Sequence, residues 1–270
     1  LGTVLPARSA LASGPLSSLR MSPIAFRILR HGVVDSTNER ALAAIADGSA
    51  RDGDVHVAKG QRAGRGRRGA RWESAPGEGL YASVVLLPAP PPPPAPAVTL
   101  MAGLAVLDAV RALGLVAARL KWPNDVLAGR AKLAGILVET RGLDPAAPHL
   151  VVGIGVNVAQ RAFPMELERE RAVTSLAREG VEATPEALLP ALLDALTRRW
   201  QEARERPERL ARDYLDGAGL AGRRVSVALP GEEVVGLLRG LDPLRGLTLA
   251  EQDGTERLVA LEHVRAVNPA

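Results

Sequence analysis

The chain contains no cysteine and only seven aromatic side chains among 270 residues. Without cysteine there is no disulfide framework, no thiolate metal site and no cysteine nucleophile. Trp72 is the one aromatic beside the Arg/Gly loop at 60–71, which argues against that loop as a single-stranded nucleic-acid platform, since such platforms stack bases on several rings. The four histidines (His31, His56, His149, His263) show no ligand spacing, so no metal held by the protein alone is expected. No run approaches the ~18 apolar residues of a membrane span. Residues 1–20 also lack the apolar core of a secretory signal.

Lysine is scarce too: it occurs only at 59, 121 and 132, so 31 of the 34 cations are arginine. Where generic surface cations have become Arg, a retained Lys hints that a compact, mobile ammonium is wanted. The formal charge of +4 is unevenly placed. Residues 1–20 hold two Arg and no acid, and residues 59–72 hold six cations and no acid. Without those eight, 26 cations face 30 acids. The chain is an acidic body carrying a concentrated cationic loop.

Hydrophobic content of 47% with 24% charged residues fits a globular chain. Residues 1–22 read as a leader outside the fold. Ile24–Leu29 reads as a strand, and Asp35–Asn38 supplies capping side chains for a helix over Glu39–Ala46. Strands follow at Val55–Ala58 and Leu80–Leu87, separated by the Gly/Arg loop 60–71. The Pro90–Pro94 run reads as a rigid connector to a buried helix over Val98–Leu113. Ala118–Lys121, Ile136–Glu139 and Leu150–Val158 read as central strands, and Pro185–Ala203 and Pro207–Leu215 as amphipathic helices with Pro in the first turn. After Gly217-Ala218-Gly219 only short strands and tight turns remain, including Pro230-Gly231 and Asp253-Gly254. The expected architecture is an α/β domain with a mixed sheet over 23–218, followed by a small β-barrel over 219–270.

Four constellations carry chemistry. Gln61 precedes Gly64-Arg65-Gly66-Arg67-Arg68-Gly69, which Trp72 follows. Glycines permit close backbone approach, and arginine forks suit phosphate or carboxylate. A solvated Arg/Gly loop or an RNA tether is the alternative reading. Lys121-Trp122-Pro123-Asn124-Asp125 presents an amide and a carboxylate at a sheet edge, where a plain polar turn is the alternative. Lys132 begins the otherwise apolar Leu133–Leu137 and either snorkels outward or points into a site. Gly153-Ile154-Gly155-Val156-Asn157 lacks the third glycine of a dinucleotide fingerprint.

The order and spacing of these motifs, with Asp35-Ser36-Thr37-Asn38 ahead and Lys132–Leu137 and Gly155-x-Asn157 behind, resemble a biotin–protein ligase. Lipoate and octanoate ligases of the same fold are the second reading, and an Arg/Gly nucleic-acid module the third. The resemblance implies the biotin/lipoate ligase catalytic fold with a C-terminal SH3-like barrel. It also implies formation of biotinyl-5′-AMP from biotin and Mg-ATP, then transfer to a lysine of a biotin carboxyl carrier domain. By resemblance, Ser36, Thr37, Asn38, Gln61, Gly64, Arg65, Gly66, Arg67, Lys132, Gly135 and Gly155 bind biotin. Arg65, Arg67, Arg68, Trp72, Asn124, Asp125, Lys132 and Asn157 bind the nucleotide, and Lys132, Arg67 and Asp125 carry catalysis. Bifunctional members place a DNA-binding helix-turn-helix first. With 34 residues ahead of Asp35, the resemblance implies a cytoplasmic, monofunctional enzyme without a DNA partner, monomeric or homodimeric.

Overall fold

The computed structural model describes residues 24–88, 93–140 and 148–270. The leader and most of the proline run, residues 90–92, lie outside them. In chain order the elements are β1 (Arg27–Val34), α1 (Thr37–Ala46), β2 (Asp54–Gln61), β3 (Gly79–Leu86), α2 (Ala95–Ala112), β4 (Arg119–Lys121), β5 (Asp125–Ala128), β6 (Ala131–Glu139), β7 (Leu150–Asn157), α3 (Met165–Glu170), α4 (Pro185–Glu205) and α5 (Pro207–Ala218). The C-terminal strands are β8 (Arg224–Ala228), β9 (Glu233–Asp242), β10 (Gly246–Ala250), β11 (Glu256–Val259) and β12 (Ala266–Pro269).

Seven strands form one sheet in the order β1-β2-β3-β7-β6-β5-β4. Only β1 and β2 run parallel; the other neighbours are antiparallel. This is a mixed sheet, as expected. The order places β3 and β7 at its centre, and β3 is buried along its whole length because Leu80–Leu86 is apolar on both faces apart from Ser83. Helix α1 covers one face through Ala41, Leu42 and Ile45 against Val85 and Val151. Helices α2, α4 and α5 cover the other.

The apolar α2 is long enough and has a mean hydropathy (1.4) high enough to cross a membrane, contrary to the reading that no such stretch exists. Twelve of its 18 residues are buried, so within this fold it is the central core helix. An ion cluster clamps it to its neighbours. Arg199 of α4 bonds to Asp108 of α2, Glu202 of α4 and Asp213 of α5, and Arg209 bonds to Glu202 at 2.8 Å.

Three sequence expectations need correction. The first strand begins at Arg27, not Ile24, and Arg27 ties it to β2 by a two-pronged bond to buried Asp54 at 2.6 and 2.7 Å. Residues 119–121 form an edge strand, not a central one. Pro123 does not end the pairing: the chain doubles back through a cis Trp122–Pro123 peptide into β5, so Lys121 and Asp125 are paired residues of a hairpin. Beyond α5, which ends on left-handed Gly219, β11-β10-β9-β8-β12 make an antiparallel sheet. That sheet fits the small barrel-like unit expected, and its buried residues (Val225, Val227, Leu247, Leu249) join the same core as the larger sheet.

Candidate active site

A cleft with about 140 Å³ of room for solvent opens where α1, the 61–72 loop, the β4–β5 hairpin, β6 and β7 converge. Its lining includes Ser36, Thr37, Asn38, Gln61, Arg65, Gly66, Arg67, Trp72, Asn124, Asp125, Lys132, Gly135 and Gly155. Thirteen residues singled out from motifs spread over 120 positions therefore share one cavity. Gly64, Arg68 and Asn157 do not line it.

The inner end is polar and buried. Ser36 occupies the N-cap position of α1 in extended conformation, yet its side chain makes no capping bond. Instead Ser36, Thr37 and Asn38 are each at least 96% buried. Thr37 donates its backbone N–H (2.8 Å) and hydroxyl (3.2 Å) to Gln61 Oε1. Gln61 Nε2 donates to Ser74 Oγ at 2.9 Å, which fixes the orientation of the amide. Ser83, fully buried on β3, lies 2.7 Å from Thr37 Oγ1 and 2.5 Å from Asn38 Oδ1. Asn38 Nδ2 donates to Glu139 Oε2 at 2.7 Å. A connected network of this kind holds each group in one orientation, because a buried polar atom left unpaired is costly.

The loop is fastened from both sides. Arg65 bridges Glu39 of α1 and Glu139 of β6, each at 2.5 Å. Gly66 accepts close approach of Ala70, and Gly64 packs so tightly that a Cβ there would lie 2.6 Å from Trp72 O and 2.8 Å from Ser74 Oγ. Arg68 sits in left-handed backbone (φ 56°) with its side chain exposed. Half-buried Arg67 donates to Asn124 Oδ1 at 3.1 Å, and Asn124 Nδ2 donates to Ile136 O at 3.0 Å. Burial, with Arg68 nearby, lowers the Arg67 pKa from its ordinary value; Asp125 and Tyr214 oppose this. The guanidinium remains charged but poorly solvated, the condition in which an anion is most welcome.

The floor is made of glycine. A Cβ at Gly155 would meet the Trp72 ring at 2.5–2.9 Å, and one at Gly135 would lie 3.0 Å from it. The indole covers both positions, and its buried N–H has no acceptor in the structure. Lys132 Nζ stands 5.5 Å from the centre of that ring and 2.6 Å from Asp125 Oδ1. The lysine backbone is pinned by the 172–174 segment, through Lys132 N to Ala172 O (2.9 Å) and Thr174 N to Lys132 O (3.0 Å). From behind, buried Tyr214 packs edge-on against Trp122 and donates to Pro123 O at 3.2 Å, fixing the hairpin.

Asn157, which the family resemblance sets beside the nucleotide, does not line the cavity. It is buried, donates to Thr174 O at 2.9 Å and accepts from Gln160 at 3.5 Å, so it braces the segment beside Lys132. Lys121 is exposed and Lys59 lies outside the cleft. The motif reading missed Ser74, Ser83, Glu139 and Arg171. Each stands alone in sequence and gains meaning only through contacts across many residues. Among the described residues no group of three or more His, Cys, Asp or Glu side chains could hold a metal.

A protein-family model described as the biotin/lipoate A/B protein ligase family matches residues 31–157. The chain is 41% identical over 217 residues to a biotin–[acetyl-CoA-carboxylase] ligase of Mycobacterium tuberculosis, covering 77% of each protein. It is 35% identical over 236 residues to the ligase of the same name from Paracoccus denitrificans, covering 84% of this chain and 96% of that protein. The structure superposes on the biotin protein ligase of Aquifex aeolicus in complex with biotin and ATP with a TM-score of 0.72 and 27% identity, over 90% of this chain and 99% of that one. On these grounds the chain belongs to the biotin/lipoate A/B protein ligase family.

Proposed function

We infer that this protein is an ATP-dependent biotin–protein ligase. It joins the biotin carboxylate to the α-phosphate of ATP, releasing pyrophosphate, and passes the biotinyl group from biotinyl-5′-AMP to a carrier lysine. One observation carries the reading: a hydrogen-bonding group (Thr37, Gln61, Asn38) lines the same cleft as a cluster of Arg67, Asn124, Asp125 and Lys132. The first part suits a neutral ring rich in N–H and C=O groups, and the second suits two anions that must react.

Both reactants of the first step are negatively charged, so their approach has to be offset by cations placed in advance. We assign that role to Lys132 and Arg67. Asp125, 2.6 Å from the lysine ammonium, holds it in the cleft and keeps it from folding away into solvent. Ser36, Thr37, Asn38, Gln61 and the backbone at Gly66 bind biotin, and Gly135 and Gly155 let the ligand lie against the sheet. Gly64 contributes by keeping the loop close to Gln61. Asn124 and Trp72 take the nucleotide, with exposed Arg68 at its outer edge. Arg65 holds the loop closed through Glu39 and Glu139 and so excludes water from a hydrolysable anhydride. Magnesium enters with ATP; such an ion needs only one or two protein carboxylates besides phosphate oxygens, and Asp125 is the carboxylate in place. To the same Asp125 we assign, in the second step, acceptance of the proton of the attacking lysine.

The acceptor is a biotin carboxyl carrier domain, and the compartment is the ATP-rich cytoplasm. The cleft's polar inner end favours biotin over lipoate, whose dithiolane has no N–H or C=O to meet Thr37, Asn38 and Gln61. Incubating the protein with biotin, Mg-ATP and a carrier domain should add one biotinyl group to its lysine. Lys132→Ala should slow adenylate formation by about 10²–10³-fold, the usual cost of removing one charge-stabilising group. Labelling by lipoate but not biotin would overturn the assignment.

A further inference from the structure

Beyond the motif residues given roles above, the cleft is lined by two further cations, Arg71 and Arg171. Arg171 follows α3 and lines the cavity beside Arg71 and Lys132. Its backbone is part of a fixed frame: the neighbouring Ala172 carbonyl accepts from Lys132 N, and Val173 pairs with Lys132 in a parallel bridge. Its guanidinium reaches the Arg71 carbonyl at 3.4 Å, and among the described residues no carboxylate pairs with it. Arg67 and Arg71 are likewise without a carboxylate partner there. Against Arg67, Arg71, Arg171 and Lys132 the cleft offers one carboxylate, Asp125. That surplus of positive charge exceeds what a monocarboxylate ligand requires, and its members are part-buried or exposed, whereas Ser36, Thr37 and Asn38 are buried.

We propose that Arg171 is a substrate-binding residue for the β- and γ-phosphates of the nucleoside triphosphate, and hence for the pyrophosphate that leaves. The proposal rests on the ligase reading, which places the α-phosphate at Lys132. An in-line displacement breaks the bond from the α-phosphorus to the β-phosphate bridging oxygen as the biotin carboxylate oxygen bonds to that phosphorus. The departing pyrophosphate carries away the electron pair and must be met by positive charge on the side away from biotin. A planar guanidinium beside the pinned Lys132 backbone meets it with two parallel donors, which an ammonium cannot do.

The test uses Arg171→Ala and Arg171→Gln in the full chain, the second retaining an N–H donor for the Arg71 carbonyl. The readouts are the KM for ATP and for pyrophosphate in biotin-dependent ATP–pyrophosphate exchange, and the Kd for biotin alone by calorimetry. Both variants should raise both KM values about tenfold or more, in keeping with loss of a charge-assisted phosphate contact, while the biotin Kd stays within twofold. Arg171→Lys should recover part of the loss. Unchanged KM values in the variants, with exchange intact in the wild type, would overturn this role alone. A biotin Kd that worsens as much as the KM for ATP would also overturn it, showing that Arg171 merely supports the loop. Wild-type protein with no biotin-dependent exchange would overturn the ligase reading, and this proposal with it.

Discussion

Ser83→Ala gives a sharp test of the idea that the inner pocket is set by a buried network rather than by its motif residues alone. Ser83 sits on the central strand β3 with no exposed surface, and its hydroxyl is the link between Thr37 Oγ1 and Asn38 Oδ1. A hydroxyl has one proton to donate, so the variant removes one donor from a pair of buried acceptors. Thr37 keeps its bonds to Gln61 and Asn38 keeps its bond to Glu139, but Asn38 Oδ1 has no other protein donor in the network. One buried acceptor left unsatisfied costs about 1–3 kcal/mol. The methyl group itself fits the space, so no cavity larger than the oxygen arises. Urea unfolding followed by circular dichroism should show a loss in that range. The biotin Kd should weaken by about tenfold, because the carbonyl end of the Asn38 amide then loses the one bond that holds it. A loss below about 0.5 kcal/mol with unchanged biotin affinity would refute the argument that Ser83 orients it.

Two further outcomes follow from the geometry. His31 and His56 stack with ring nitrogens 3.1 Å apart, and both pKa values are lowered. Burial is the main cause for each, with Arg40 acting on His31; His31 and Arg27 act on His56, and Asp54 opposes them. Below the ordinary value of 6.5 the unfolded chain therefore binds protons that the folded one does not, so stability falls as pH drops from there toward the folded values and is unaffected by this pair above it. Urea midpoints at pH 7.5 and 5.5 should differ in that direction, and His31→Gln/His56→Gln should flatten the difference. Separately, Arg199→Ala should cost about 3–5 kcal/mol, since it leaves Asp108 and Asp213 without their shared partner; calorimetric unfolding measures it, and a loss under 1 kcal/mol would contradict the clamp.

The cleft was legible in the sequence to the extent that its residues come in runs. Ser36-Thr37-Asn38, the Gly/Arg loop, Asn124-Asp125 and Lys132 stand in recognisable local patterns, and the sheet brings them together. The supporting residues have no such pattern. Glu139 ends a strand and looks like ordinary surface charge, yet it bonds to Asn38 and Arg65, separated from it by 101 and 74 positions. Ser83 reads as a lone polar residue in an apolar strand. Strand β5 was hidden because proline commonly ends a strand, whereas here Pro123 forms the corner of a hairpin that Tyr214 secures from another helix. Asn157 enters the nucleotide set only through the family resemblance, and its bond to the Thr174 carbonyl, 17 positions away, has no signal in the sequence. The count of lysines was a useful guide in one case: Lys132 lies in the cleft, while Lys121 and Lys59 lie outside its lining.

The measurement that tests the central claim most directly is incorporation of labelled pyrophosphate into ATP by the purified protein, with and without biotin. Formation of biotinyl-5′-AMP in this cleft predicts exchange that requires biotin, is not supported by lipoate, and falls by about 10²–10³-fold in Lys132→Ala. Exchange that is absent, or that proceeds equally without biotin, would contradict the account.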